Sequence, residues 1–119
     1  MCRVLSDEQV SIEHLKFLYR CYKKTYADHF STPYLNEIFF TLLHCKLQHN
    51  LVVSIAYTSD DRPIASSLAI LENINGEKTL FGRYWGAIED ISFLHFEVAY
   101  YSLIEWSILH GVKNFEGGA

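Results

Sequence analysis

Apolar residues recur at helical spacing in the first part of the chain. Between residues 8 and 30 they stand mostly three or four positions apart with charged residues between them, which predicts an amphipathic helix. Ser6 or Ser11 can cap its start. Residues 31–33, Ser-Thr-Pro, end this helix and open a second one that runs to about Gln48. The pattern therefore predicts two consecutive helices with broad apolar faces.

The spacing changes from helical to extended at residue 51. Residues 51–57 are rich in β-branched side chains and too few for a typical helix, which favours a strand. A second strand is predicted over about 64–73 and a third over about 78–85. Because Asn75-Gly76 is a strong two-residue hairpin signal, we expect three consecutive antiparallel strands.

A helix and a further strand follow the third strand. Asp90 or Ser92 can cap this helix, which reaches His110 and stops at Gly111, a typical residue after a helix C-terminus. Residues 112–116 form the last strand, which we expect to lie parallel to the third after a right-handed crossover. The predicted order is α-α-β-β-β-α-β, an α/β layer with a mixed sheet.

Composition narrows the classes of function. Half of the 119 residues are apolar and the formal charge is −4, so the chain can bury a core and has no net attraction to a phosphate backbone. The three cysteines lack paired short spacing, and neither a signal peptide nor a long apolar run is present. We therefore interpret residues 1–119 as one domain, without a membrane span, in a reducing, cytoplasmic setting.

The six histidines do not form a convincing metal set. His44 and Cys45 are adjacent, so their side chains point apart on a helix, and His49 lies five positions from His44. Neither spacing is typical of zinc sites. No metal is predicted.

The glycine-punctuated strand 82–86 carries the first candidate site residues. Gly82 and Gly86 remove side chains where a backbone can approach a ligand or where a strand can bulge. Arg83 could pair with a carboxylate or phosphate, and Tyr84 and Trp85 could stack on an adenine or a sugar. Strand alternation places Arg83 and Tyr84 on opposite faces, so only one of them would line a given cleft. The alternative is a sheet bend without a ligand, with both rings in the core.

The predicted crossover helix and the strand after it carry the second group of candidates. His95 and Glu97 lie at the start of this helix, and Glu97, Tyr101 and Glu105 follow at four-residue steps that could bind an ammonium or supply a base. Glu116 lies at the carboxyl end of the last strand, where open α/β sheets form ligand crevices. Hydrogen-bonded structural roles, or a solvent-facing stripe, are the alternatives.

These segments resemble the FemAB-like peptidoglycan biosynthesis/recognition group of bacterial acyltransferases, within the Gcn5-related acetyltransferase (GNAT) superfamily. The stronger matches are Gly82-Arg83-Tyr84-Trp85-Gly86, Leu94-His95-Phe96-Glu97 with Tyr100-Tyr101, and Phe115-Glu116 with Gly118-Ala119. The weaker ones are Pro33-Tyr34-Leu35 with Phe39-Phe40, and Arg62-Pro63-Ile64-Ala65. Together they cover most of the chain.

The resemblance implies acyl or aminoacyl transfer to an amine acceptor. Acyl-CoA or aminoacyl-tRNA would be the donor substrate, with no permanently bound cofactor, and strand 82–86 would line the donor's pantetheine arm. It also implies a GNAT-like fold that is incomplete at its C-terminus, in a fragment of a longer protein. The family's Gln-Gly-Glu-His-Lys run and a preceding acetyltransferase-like half are missing from these residues, and an exposed sheet edge would then favour a homodimer.

One segment opposes ordinary acetyl-CoA binding. The usual pyrophosphate loop, a Gln or Arg followed by spaced glycines, is replaced by Ala87-Ile88-Glu89-Asp90-Ile91, whose two carboxylates repel a diphosphate. This fits a FemAB-like protein with different donor recognition. It also fits the alternative function, a non-catalytic recognition domain that binds a cell-wall precursor, peptide or protein partner.

Overall fold

The computed structural model describes residues 2–28, 36–88 and 101–116. Its regular elements are β1 (Cys2–Ser6), α1 (Ile12–Asp28), α2 (Glu37–Leu47), β2 (Leu51–Tyr57), β3 (Pro63–Ile74), β4 (Glu77–Ala87), α3 (Ser102–Leu109) and β5 (Asn114–Glu116). Across the described residues the strands form one sheet in the order β1-β2-β3-β4-β5. Strands β4 and β5 are parallel and the other neighbours are antiparallel. The predicted mixed α/β sheet is confirmed.

The predicted elements did not include β1. Cys2–Ser6 pairs with β2, from Cys2 opposite Ala56 to Ser6 opposite Val52. Its five residues give only a weak strand pattern in the sequence, because Leu5 is the only one of them that is buried. The strand is held by its partner, and that pairing is not visible in the local spacing of side chains.

Helix α1 begins later than the predicted residue 8. Asp7–Gln9 form a single 3-10 turn, and α1 itself starts at Ile12. Both candidate capping serines stand at a helix start: the Ser6 N–H donates to Gln9 Oε1 at 3.0 Å, and the Ser11 N–H donates to His14 Nδ1 at 3.0 Å. Two side-chain acceptors thus satisfy the backbone at two successive turns.

The other two helices agree with the prediction in part. Asn36 caps α2, because its Oδ1 accepts from the Phe39 N–H at 3.0 Å. Gly111 follows α3 with a φ of 71°, as the predicted helix end requires. The predicted start of the second helix at 32–33 is wrong, because Asn36 has an extended backbone and α2 begins only at Glu37. Residues 32 and 33 themselves, and the proposed caps of the third helix at 90 and 92, lie outside the described residues.

The sheet separates two apolar cores. On the face that we call the α1/α2 face, both helices pack on the strands through Leu15, Leu18, Tyr22, Phe40, Val53 and Leu68. On the opposite, α3 face, the packed residues are Val52, Ala69, Leu80, Leu103 and Trp106. Adjacent residues of β2 and β3 thus alternate between the two cores, which explains why these strands are apolar almost throughout.

Acidification should weaken the start of α1. Burial, together with the nearby Arg3, lowers the pKa of His14 from 6.5, so the folded state favours the neutral ring that accepts the Ser11 N–H. This stability is present above the unfolded pKa and is lost as the pH falls through the folded pKa. In urea unfolding we expect the wild type to lose more stability than His14→Gln on acidification, because glutamine keeps the cap without titrating. Equal losses would contradict this account.

Candidate functional site

Strand β4 contains a β-bulge at Arg83. Gly82 lies opposite Ala69 and Tyr84 lies opposite Leu68, so β4 advances two residues while β3 advances one. A bulge takes one residue out of the ladder, bends the strand and increases its twist. The bulge expected near the two glycines of this strand is therefore present, at the residue after the first of them.

The bulge overturns the predicted orientation of Arg83. Alternation placed Arg83 and Tyr84 on opposite faces, and this is wrong because the extra residue interrupts the alternation. The Arg83 guanidinium carbon lies 5.4 Å from the centroid of the Phe81 ring, and Phe81 is opposite Ile70, which packs against the α1/α2 core. Tyr84 packs against the same core. Both side chains therefore lie on the α1/α2 face.

Tyr84 is held in an aromatic cluster. Its ring centroid lies 5.8 Å from those of Phe39 and Phe40 and 6.1 Å from that of Tyr22, all with edge-to-face geometry. These contacts hold β4 against α1 and α2, so Tyr84 serves the core as the structural alternative supposed. Trp85 is half-buried and lies opposite Ser67, on the α3 face.

Gly86 lies directly beneath the backbone of α1. A Cβ atom at this position would stand 2.2 Å from the carbonyl carbon and oxygen of Cys21 and 2.5 Å from the amide nitrogen of Tyr22. No side chain fits there, because a real Cβ does not approach backbone atoms so closely. The close backbone approach inferred from the glycine is thus made by a helix of the same chain.

Hydrogen bonds position the carboxyl end of β4. The Ala87 N–H donates to Thr25 Oγ1 at 2.9 Å, and the Ile88 N–H donates to the Ile64 carbonyl at 2.8 Å. Cys21 is fully buried nearby, and burial raises the pKa of its thiol to about 12. The thiol is therefore protonated at neutral pH and is not a nucleophile.

Strand β5 pairs with the first half of β4. Thr79 lies beside Asn114, Leu80 beside Phe115 and Phe81 beside Glu116. The predicted parallel pairing is confirmed. Strand β4 continues past this ladder over 82–87, so the proposed slot between the two strands begins where the description of β5 ends, and their separation stays a prediction.

The described candidates at the chain's carboxyl end are exposed. Glu116 is exposed and neighbours Phe81 on the α1/α2 face. Tyr101 and Glu105, from the four-residue stripe, are exposed and border a cavity of about 390 Å³ between β1 and α3. His95 and Glu97 lie outside the described residues, and their roles stay predictions.

A second cavity, which we call the hairpin pocket, lies between the β3–β4 turn and β5. It has a volume of about 380 Å³ and is lined by Ile74, Asn75, Glu77, Thr79, Phe81, Asn114 and Glu116. Of these seven residues, only Glu116 was a candidate site residue in the sequence, and Asn75 was selected for the turn alone. The parallel pairing of β4 and β5 brings segments that are distant in the sequence together here, and no local sequence motif predicts that contact.

The described residues were also compared with the requirements of a metal site and of a membrane-spanning helix. Across residues 2–28, 36–88 and 101–116, no group of three or more His, Cys, Asp or Glu side chains could hold a metal ion. Nor does any helix in those segments combine the length and apolar character needed to cross a bilayer.

Comparison by sequence identifies one family. The family model for FemAB-like proteins of peptidoglycan biosynthesis/recognition matches residues 1–119. Among curated proteins, none matches the chain. This match over residues 1–119 confirms the resemblance that the sequence motifs indicated.

Comparison by structure identifies GNAT acetyltransferases. An aminoglycoside acetyltransferase from an uncultured soil metagenomic sample, solved with sisomicin, has a TM-score of 0.67 at 9% identity, covering 97% of this chain and 74% of that one. Aminoglycoside N-acetyltransferase AAC(6')-Iy in complex with CoA has 0.63 at 13%, covering 100% and 75%. A GNAT family acetyltransferase of Staphylococcus aureus has 0.63 at 12%, covering 98% and 83%. At these identities the likeness shows the fold.

Proposed function

Because the chain belongs to the FemAB-like family of peptidoglycan biosynthesis/recognition and has the GNAT fold, we propose that it is an N-acyltransferase-type domain. It would transfer an acyl or aminoacyl group to an amine acceptor linked to cell-wall peptide precursors. The amine nitrogen attacks the donor carbonyl and a C–N bond forms. The C–S bond of a thioester, or the C–O bond of an aminoacyl ester, breaks, and the leaving thiol or hydroxyl group takes up a proton as the amine loses one.

The bulge of β4 carries this proposal. The bulge lies immediately beyond the last described pair of the β4–β5 ladder. Strand β4 therefore runs parallel to β5 up to that pair and bends just after it, toward the carboxyl ends of the two strands. Ligands bind at such ends in open α/β sheets. A donor held there would have its carbonyl oriented by fixed backbone dipoles, which supplies both alignment and oxyanion stabilisation.

The candidate residues take different parts in this proposal. Gly82 and Arg83 would contact the donor, with Arg83 pairing with a phosphate or carboxylate. Trp85 lies on the α3 face and would contact the donor only from the opposite side of the slot. His95 or Glu97 would act as the base, and Glu116 would lie on the acceptor side. Gly86 and Tyr84 serve packing against α1 and α2.

The donor is an acyl-CoA or an aminoacyl-tRNA in this proposal. A structural neighbour solved in complex with CoA supports the first, and tRNA would enter only as a donor. We place the reaction in the cytoplasm, where both donors are made. A homodimer through an exposed sheet edge is a further expectation, since β1 forms one edge of the sheet among the described strands.

A recognition domain without catalysis is the second candidate. It is favoured by the sequence Glu89-Asp90, which follows β4 in the segment where the resemblance to acetyltransferases implies a glycine-rich pyrophosphate loop. Their carboxylates oppose a diphosphate at that place. Such a domain would bind a cell-wall precursor, a peptide or a protein partner and would have no affinity for donors.

Thermal unfolding with different ligands separates the two candidates. We expect acetyl-CoA or an aminoacyl-tRNA at about 100 times its Kd to stabilise the chain by about 2.7 kcal/mol, which raises Tm by several degrees. Muropeptides alone should have a smaller effect. Stabilisation by muropeptides without any response to either donor would reject the transferase and support the recognition domain.

Arg83→Gln tests the donor contact, and Arg20→Gln is its matched control. Both side chains are arginines over a phenylalanine ring, Arg83 over Phe81 at 5.4 Å and Arg20 over Phe17 at 5.7 Å. Only Arg83 lies beside the proposed slot. We expect Arg83→Gln to weaken donor binding about tenfold, the loss of one charged contact, and Arg20→Gln to leave it unchanged. Equal effects of the two changes would remove Arg83 from the site.

A further inference from the structure

We propose that the chain forms a two-fold symmetric dimer in which β1 pairs antiparallel with β1 of a second copy, with Val4 beside Val4 at the axis. Strand β1 is suited to this role, because it lies at one end of the described sheet and pairs with β2 on one side only. An open strand edge offers a row of backbone groups to another chain. Strand β4, which carries the bulge, lies three strands from β1, so the proposed donor slot of each copy stays outside this interface.

The backbone of Val4 faces the open edge. The Ser66 hydroxyl group donates to the Ser54 carbonyl at 3.0 Å, so the backbone groups of Ser54 are directed to β3. Since the N–H and C=O groups of one residue point to the same side of an antiparallel strand, Ser54 exchanges no hydrogen bonds with Val4, which lies opposite it on β1. The N–H and C=O of Val4 therefore point away from β2. Ser6 has the same direction, and its N–H donates to the side chain of Gln9.

Symmetry and charge select Val4 as the centre of the pair. Residues that lie opposite each other in an antiparallel pair have side chains on the same face, so a two-fold axis passes through a residue of β1. An axis at Arg3 would place two guanidinium groups side by side, which is destabilising. An axis at Leu5 would direct Val4 to Ser6, whose N–H is already bonded to Gln9. With the axis at Val4 the guanidinium groups are separated, and the two central valines exchange two hydrogen bonds.

The charges at the two ends of β1 are complementary to each other. Arg3 is exposed and has no ion pair in the described part of the chain. Asp7 and Glu8 are exposed and directly follow the strand; Asp7 is paired with His49, and Glu8 has no ion pair among the same residues. An axis at Val4 brings the start of one β1 next to the end of the other, so each Arg3 lies near the Asp7-Glu8 turn of the second copy. These two attractions favour a second copy over an unrelated strand, which need not carry the matching charges.

Exposed apolar side chains of α3 border the same edge. Tyr101 is 64% exposed and Leu109 is 75% exposed, and both line the cavity of about 390 Å³ between β1 and α3. Val4 also lines this cavity, and among its described lining residues Glu105 alone is charged. An axis at Val4 joins the cavities of the two copies into one groove, whose apolar walls are partly removed from water when the copies associate.

Sedimentation equilibrium and a disulfide trap test the pairing. We expect the 13.8 kDa chain to sediment as a dimer with a micromolar Kd. In a background with Cys2→Ser and Cys45→Ser, Val4→Cys should form an intermolecular disulfide under mild oxidation, because opposite residues of a hydrogen-bonded pair have Cα atoms about 5.5 Å apart. Ser6→Cys in the same background is the control. Its side chain lies on the same face, but the two copies of residue 6 would be about 14 Å apart along the strands, too far for a disulfide.

Three variants test the backbone and the charges separately. Val4→Pro removes the outward N–H and leaves the ladder between β1 and β2 intact, so it should dissociate the dimer while circular dichroism shows a folded chain. Arg3→Glu should weaken dimerisation about tenfold, and Arg3→Glu with Glu8→Arg should restore it, since the pairing across the axis joins these charges. Lys46→Glu, the same charge reversal at an exposed position on α2, should leave the Kd unchanged.

A chain that sediments as a monomer up to millimolar concentration would overturn the proposal. So would a dimer that persists in Val4→Pro, or that cross-links equally well through residues 4 and 6, because its copies would then meet elsewhere. If Val4→Pro does not fold, Arg3→Glu decides alone, and an unchanged Kd rejects the interface. Neither a donor nor an acceptor is present in these experiments, so a negative result leaves the proposed transferase as it stands.

Discussion

Replacing Gly86 with alanine should lower the free energy of unfolding by about 3 kcal/mol, the upper end of the usual effect of overpacking. The added Cβ would stand 2.2 Å from backbone atoms of Cys21, and a helix backbone cannot move aside as a flexible side chain can. Relief requires α1 to separate from β4, which would disturb the Tyr84 cluster and the bond between Thr25 and Ala87. Urea unfolding monitored by circular dichroism measures the loss.

Gly111→Ala provides the matched control for this change. Gly111 has a φ of 71° and open space around the site of a Cβ, so alanine there meets only backbone strain, which costs about 1 to 2 kcal/mol. The expected order is therefore a larger loss at Gly86 than at Gly111. If Gly86→Ala folds with wild-type stability, α1 does not lie against the strand, and the glycine would again be available to a ligand.

The helices and central strands were predictable because their signals are local. The Asn75-Gly76 turn has φ angles of 53° and 83°, as a two-residue hairpin needs, and it sets the register of β3 and β4. Gly111 ended its helix for a similar reason. Such residues act through their own backbone, so the sequence alone reveals them.

The remaining errors arose where distant segments decide the structure. Strand β1, for example, depends on its pairing with β2. The late start of α1 is the exception, because it follows from a local feature, the capped 3-10 turn that precedes the helix. The bulge at Arg83 could be expected from the glycines beside it, but its register could not, so the orientation of Arg83 relative to Tyr84 was wrong. Alternation holds only while a ladder is regular.

The candidate site was predictable to the same extent as the bulge: the sequence indicated that a feature was present but not which parts of the structure form it. Gly86 was selected for a ligand because a glycine in a strand indicates a close backbone approach, and the approach exists. The sequence does not state whether the approaching backbone belongs to a ligand or to α1. Glu77, Thr79 and Asn114 were overlooked because they share one wall only after β5 pairs with β4.

Replacing His95 or Glu97 with alanine should lower turnover about 100-fold for the residue that is the base, with little change in stability. Deprotonation of an attacking amine by a positioned side chain typically contributes a factor of about 100 to 10,000. The sequence places both residues at the start of the predicted crossover helix, close in the chain to the end of β4. The measurement is steady-state acyl transfer from the donor that stabilises the chain, with thermal unfolding of each variant alongside.

Glu105→Ala is the control that distinguishes the loss of a catalytic base from the loss of a negative charge on the same predicted helix. Glu105 continues the four-residue stripe that begins at Glu97, but it is exposed and borders the cavity between β1 and α3. Its replacement should leave turnover within about twofold, since exposed surface changes of this kind have small effects. A true base should also shift the acid limb of the pH–rate profile when it is removed, which a merely structural residue would not do. Unchanged turnover in both His95→Ala and Glu97→Ala would exclude these two residues as the base and leave Glu116 as the remaining carboxylate candidate.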